Sequence, residues 1–97
     1  MNLEQSRKAI DEIDQQLVKL FSERMACAAE IAAYKKENNL PVLDAGRERQ
    51  KLAAISEMAP DDLENSARCL YSLIFSLSRA YQHRLPRRGG RVFPAGL

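Results

Sequence analysis

Residues 2–39 read NLEQSRKAIDEIDQQLVKLFSERMACAAEIAAYKKENN. The stretch contains neither Gly nor Pro, the two residues that most disfavour a helix interior. Ile10, Ile13, Leu17, Leu20, Phe21, Ala28 and Ile31 recur at helical spacings and form one apolar stripe. Asn2, followed three positions later by Gln5, has the form of a capping box. Asn38, Asn39 and Pro41 close the run. The pattern predicts one helix of about 35 residues, roughly 52 Å long.

A rod of that length constrains everything around it. A compact globule of 97 residues has a radius of gyration of about 13 Å, so the rod must project from it. Downstream, Asp44 is placed to cap a second helix over residues 45–59, which Pro60 ends. Asp61 or Asp62 opens a third that runs to about Leu85, where Pro86, Arg87, Arg88, Gly89 and Gly90 break the pattern. At roughly 22 and 36 Å these two helices are too short to cover the first. Uncovered apolar surface calls for a partner, and the simplest is a second copy of the chain. The expected fold is therefore all-α: three helices, the first of them long, forming an intertwined homodimer. Residues 1–85 make the domain, and residues 86–97 read as a flexible tail or linker remnant.

Hydrophobic residues make up 45% of the chain and charged residues 29%, which argues against a disordered or membrane-embedded protein. No apolar run approaches the roughly 20 residues that span a bilayer. Glu4, Asp11 and Glu12 stand where a secretory leader would be apolar, so the expected location is cytoplasmic, with no membrane partner. Cys27 and Cys69 lack metal-ligand spacing and read as buried thiols of a reducing compartment. Residues 65–97 carry 6 Arg and no acidic residue, an asymmetry that raises nucleic-acid binding as an alternative. No aromatic residues alternate with those arginines as a stacking platform requires, so no nucleic-acid partner is expected.

The functional signal is charge on faces that should be apolar. Arg24 and Lys35, 11 residues apart and hence nearly three full turns, fall in the middle of the first helix's stripe, with Arg7 on its edge. In the second helix Glu48 sits on the face of Ala45, Leu52, Ile55 and Ala59. In the third, Leu63, Ala67, Leu70, Ile74 and Tyr81 define a face, with Ser78 in its wider sector and Gln82 at its margin. One such cation is ordinarily a snorkelling side chain or half of an ion pair. Two cations, a carboxylate, a hydroxyl and an amide directed inward in a small chain are harder to explain so, because unpaired buried charge costs several kcal/mol per group. Glu48 can neutralise one cation, and the excess calls for a small anionic ligand carrying carboxylates or phosphates. The planar fork of Arg suits a carboxylate. No Gly-rich phosphate loop, nucleophile elbow or zinc motif occurs, and His83, beside Arg84, reads as a surface residue. Chemistry here is expected to work by positioning and electrostatics, with no metal and no cofactor.

These residues resemble the all-α class of chorismate mutase, including the N-terminal mutase domain of bifunctional chorismate mutase–prephenate dehydratases. The resemblance spans about residues 3–85. Its most specific part is Lys35–Arg49, KKENNLPVLDAGRER, with Lys, Pro-Val, Asp and Arg-Glu-Arg in family order. The opening RKAIDEID at Arg7–Asp14 and the pair Glu23-Arg24 also fit, and Ser78 and Gln82 stand where the family places its last two ligand-binding residues.

The resemblance implies an intramolecular isomerase that converts chorismate to prephenate, a step toward phenylalanine and tyrosine. Arg24 is then expected to grip one substrate carboxylate. Arg7, supplied by the other subunit, would hold a carboxylate with help from Ser78. Lys35 and Gln82 would donate to the ether oxygen, and Lys35 also touches a carboxylate in this reading. Glu48 and the backbone near Asp44 would meet the ring hydroxyl, with Arg47 supporting that end. For the Asp44 side chain, helix capping and substrate contact both remain open. Geometry favours a shared site: Arg7 and Arg24 are about 26 Å apart along one helix and point about 100° apart. Two alternatives stand beside this: an isochorismate pyruvate lyase on the same scaffold, and a helical dimerisation or regulatory module without activity. The second leaves Arg24, Lys35 and Glu48 inside without a reason.

Overall fold

The computed structural model describes residues 2–84. Helix α1 runs over Leu3–Glu37, α2 over Ala45–Met58 and α3 over Glu64–Arg84. A single 3-10 turn, Asp61–Leu63, leads into α3. No strand occurs among the described residues, and no helix among them is long and apolar enough to cross a membrane.

Local chemistry sets these boundaries. The Asn2 side chain accepts from the Gln5 amide at 2.8 Å, and the Gln5 side chain accepts from the Asn2 amide at 3.0 Å, which completes the expected capping box. At the other end Asn39 takes φ 56°, a left-handed conformation that Asn tolerates better than other non-glycine residues. The Leu40 amide then donates to the Lys35 carbonyl at 2.7 Å and the Asn39 amide to the Lys36 carbonyl at 3.3 Å. This paired closure is a Schellman motif. It turns the chain back over the last turn of α1, toward the loop that leads to α2.

The Asp44 carboxylate accepts from the Arg47 amide at 3.0 Å and caps α2. Helix α2 ends at Met58, one residue before the expected Ala59, because the Ala59 amide still bonds Ile55 at 3.0 Å while its own ψ of 146° is extended. That conformation is the one favoured before proline. The expected opening of the third helix at Asp61 or Asp62 is instead the 3-10 turn, closed by the Leu63 amide on the Pro60 carbonyl at 2.9 Å. The expected end at Leu85, and the tail 86–97, lie outside the described residues.

Helix α3 is the central element, packing against both α2 and α1, and α1 and α2 make no comparable backbone approach to one another among the described residues. The described molecule extends 52 × 33 × 15 Å. The core is Met25, Ala28, Ala29, Ile55 and Phe75. Every residue from Ile10 to Glu23 is exposed, so the α1 stripe continues as an uncovered ridge.

Two expectations need correction. Of the face expected on α3, Ala67, Ile74 and Tyr81 are half-buried, but Leu63 and Leu70 are exposed, and the face centres on buried Phe75 and Ser78, flanked by half-buried Tyr71 and Gln82. Aliphatic content chose the wrong axis. The aromatic pair Tyr71 and Phe75, packed edge to face at 6.2 Å, turns toward α1 and leaves Leu70, Leu73 and Leu77 outside. Cys27 and Cys69, expected as buried thiols, are both free and exposed; Cys27 faces an open cleft between the helices.

Candidate active site

The C-terminal half of α1, the first turns of α2 and the last turns of α3 enclose an open cleft of about 320 Å³, within the usual size range of small-molecule sites. Arg24, Lys35, Asp44, Arg47, Glu48, Ser78 and Gln82 all line it. These are all the expected site residues except Arg7, which is exposed on the outlying part of α1 and not part of this lining.

Arg24 is held from α3. Its guanidinium lies 5.6 Å from the Phe75 ring centre and 5.8 Å from that of Tyr71, a stacking geometry favourable to a planar cation. Its Nη1 donates to Ser78 Oγ at 3.4 Å. Ser78, only 6% exposed, directs its own hydroxyl to Met25 Sδ at 3.7 Å. Lys35 Nζ donates to the Val42 carbonyl at 2.9 Å, which ties the end of α1 to the α1–α2 loop and leaves the other ammonium hydrogens free for a ligand. The Gln82 side chain has no hydrogen-bond partner among the described residues, although it is half-buried at the cleft wall. His83 is exposed, as expected.

Two lining residues escaped the sequence reading: Lys51 and Arg79. Arg79 forms an ion pair with Glu48. Its signal was present, since Arg79 follows Phe75 by four positions and precedes Gln82 by three, but the face drawn through Leu70 and Ile74 hid it.

With these two included, the lining holds five cations (Arg24, Lys35, Arg47, Lys51 and Arg79) against two carboxylates, Asp44 and Glu48. Asp44 is engaged as a cap and Glu48 by Arg79. Among the described residues, Arg24 and Lys35 meet a hydroxyl and a carbonyl and no carboxylate. Among the same residues no three His, Cys, Asp or Glu side chains cluster as metal ligands. The lining therefore carries an excess of positive charge and of hydrogen-bond donors, the chemistry that suits a compact polyanion.

Fold and cleft together define a small all-α domain with a cation-rich cleft at the junction of its three helices. Residues 6–83 match the family model of chorismate mutase type II. A curated relative, the chorismate mutase of Methanocaldococcus jannaschii, is 29% identical over 82 residues, covering 82% of this chain and 83% of its own length. No solved structure gives a significant match. The chain belongs to the type II chorismate mutase family, and it is an isomerase of that activity.

Proposed function

We propose that this cleft converts chorismate to prephenate with Arg24, Lys35, Glu48 and Gln82 as its principal catalytic groups. In the rearrangement one C–O bond breaks as one C–C bond forms within the same molecule, so atoms and electrons balance without acid, base or redox partner. The protein's task is to hold the reactive conformer and to stabilise negative charge growing on the ether oxygen. Even a ~10⁶-fold acceleration requires lowering the barrier by about 8 kcal/mol.

The observation that carries the reading is that Arg24 and Lys35 line the cleft without carboxylate partners among the described residues. Arg24 binds one substrate carboxylate with the part of its fork that Ser78 does not occupy. Lys35 and Gln82 donate to the ether oxygen. Glu48 accepts from the ring hydroxyl, with Arg47 and the Asp44 backbone completing that end. The second carboxylate is held by the partner subunit's Arg7. The exposed ridge of Ile10, Ile13, Leu17 and Phe21 supports a homodimer. So does an apolar groove of about 580 Å³ lined by Phe21, Met25, Leu77 and Tyr81. The exposed free thiols suit a reducing compartment, and we place the enzyme in the cytoplasm.

Separate incubations of the purified chain with chorismate and with isochorismate, followed by loss of substrate absorbance and identification of the product, test this. Prephenate is the expected product. Release of pyruvate from isochorismate, with chorismate left intact, would reassign the cleft to lyase chemistry.

A further inference from the structure

We infer that Arg79 is a positioning residue that pins Glu48, keeping its carboxylate off the cations that bind substrate. The inference rests on the assignment of Glu48 to the substrate's ring hydroxyl.

The geometry is a brace across two helices. Arg79 Nη1 donates to Glu48 Oε2, from α3 to α2. Arg79 Nη2 donates to Ser76 Oγ at 3.3 Å, one turn back on its own helix. The guanidinium is thus fixed at both ends of its fork, and a rigid planar donor holds one carboxylate oxygen while leaving the other without a partner among the described residues. The free oxygen, Oε1, is the one available to accept from a ligand hydroxyl.

Stability alone is a weak reason for the pair. The Arg79 and Glu48 side chains are 31% and 27% exposed, and partly solvated ion pairs contribute little to folding. The cleft supplies a stronger one. Glu48 shares it with Arg24, Lys35, Arg47 and Lys51. A flexible carboxylate tethered among four cations is at high effective concentration, and it would occupy the anion positions that a dicarboxylate substrate needs. A fifth cation, Arg79 from α3, removes that internal competitor and at the same time aims it at a hydroxyl. Arg79 therefore helps to set specificity for an anion that carries a hydroxyl at that end.

Steady-state kinetics with chorismate test this on Arg79→Ala, Arg79→Lys and Glu48→Gln, and on the double variant Glu48→Gln/Arg79→Ala. Arg79→Ala should raise KM by roughly tenfold, with a smaller fall in kcat. Arg79→Lys, which keeps a charge but not the fork, should recover part of that rise. In the Glu48→Gln background, where no carboxylate competes, removing Arg79 should change KM by less than about twofold. Should Arg79→Ala fail to fold, judged by helical circular dichroism, Arg79→Gln carries the same comparison. An equal KM effect in both backgrounds would show Arg79 acting on substrate or fold directly and overturn the inference. An unchanged KM in Arg79→Ala would overturn it too. A wild-type chain that leaves chorismate untouched would overturn the underlying mutase reading, and this inference with it.

Discussion

The Arg24 guanidinium reaches the Ser78 hydroxyl at 3.4 Å across the seam between α1 and α3, where a carboxylate would be the usual counterpart of an inward-facing arginine. The Ser78 hydroxyl itself donates a hydrogen bond to the Met25 sulfur, and the rings of Phe75 and Tyr71 flank the cation. The arginine is held in place without being neutralised. Its charge remains available to a ligand, and its direction is set before the ligand arrives.

Ser78→Ala should therefore affect binding more than folding. Stacking on Phe75 and Tyr71 persists, while one constraint on the Arg24 fork is lost. KM should rise a few-fold, and unfolding free energy should change by no more than about 1 kcal/mol, the scale of one hydrogen bond. Paired kinetic and thermal-denaturation measurements check this. A large loss of stability with unchanged KM would make the hydroxyl a packing feature of the core.

Lys35→Ala and Gln82→Ala should lower kcat more than they raise KM. Their proposed target gains charge mainly in the transition state, and loss of one such donor costs on the order of 3 kcal/mol. The Lys35→Ala effect carries a second component, because the Val42 carbonyl also loses its donor. A raised KM with unchanged kcat in both variants would remove them from the ether oxygen.

Asp44→Asn separates the two roles left open for that residue. Asn caps a helix about as well as Asp, so the bond to the Arg47 amide should survive and kcat/KM should stay within a few-fold of wild type. Asp44→Ala should lower unfolding free energy by about 1 kcal/mol through loss of the cap. A severe activity loss in Asp44→Asn at unchanged stability would instead put the carboxylate on the substrate.

Much of this site was legible in the sequence, and the part that was not has a physical cause. Arg24, Lys35 and Glu48 stood out because charge on an apolar stripe needs a reason, and all three line the cleft. Helix α1 was readable to its ends because the Asn2–Gln5 capping box and the Asn38-Asn39 closure are local chemistry. The inward face of α3 was legible only in part, with Ala67, Ile74 and Tyr81 half-buried but Leu63 and Leu70 exposed, because orientation is a tertiary property. Leu70 and Leu73 are apolar enough to be core, yet Phe75 and Tyr71, which flank Arg24, set the angle. Arg79 was missed for the same reason, since its meaning depends on Glu48, 31 residues away.

Leu17→Glu tests the exposed ridge of α1. Leu17 is 56% exposed within one chain, so a charge there disturbs the isolated fold little. Across a two-fold interface the change occurs twice, and each buried Leu contributes about 1.5–3 kcal/mol. Dimer dissociation should become easier by at least ~10²-fold, and activity should fall with protein concentration as the partner subunit's Arg7 is lost. Sedimentation and activity measured over the same dilution series check both. A variant that remains dimeric and active would place the interface elsewhere.

The shared site makes a sharper prediction. Arg7→Ala and Arg24→Ala should each be nearly inactive as pure homodimers. Unfolded together and refolded, they should regain activity. In a mixed dimer, the subunit carrying Arg7→Ala keeps its own Arg24 and receives Arg7 from its partner, so one site is complete and the other lacks both arginines. Random pairing makes about half of the dimers mixed, so recovery should approach about a quarter of the wild-type value per chain. If one chain supplied both arginines to the same site, no mixed dimer would contain an intact one, and mixing would restore nothing. Native mass spectrometry establishes that mixed dimers form. Their presence without recovered activity would defeat the intertwined site and leave Arg7 as a surface residue of α1.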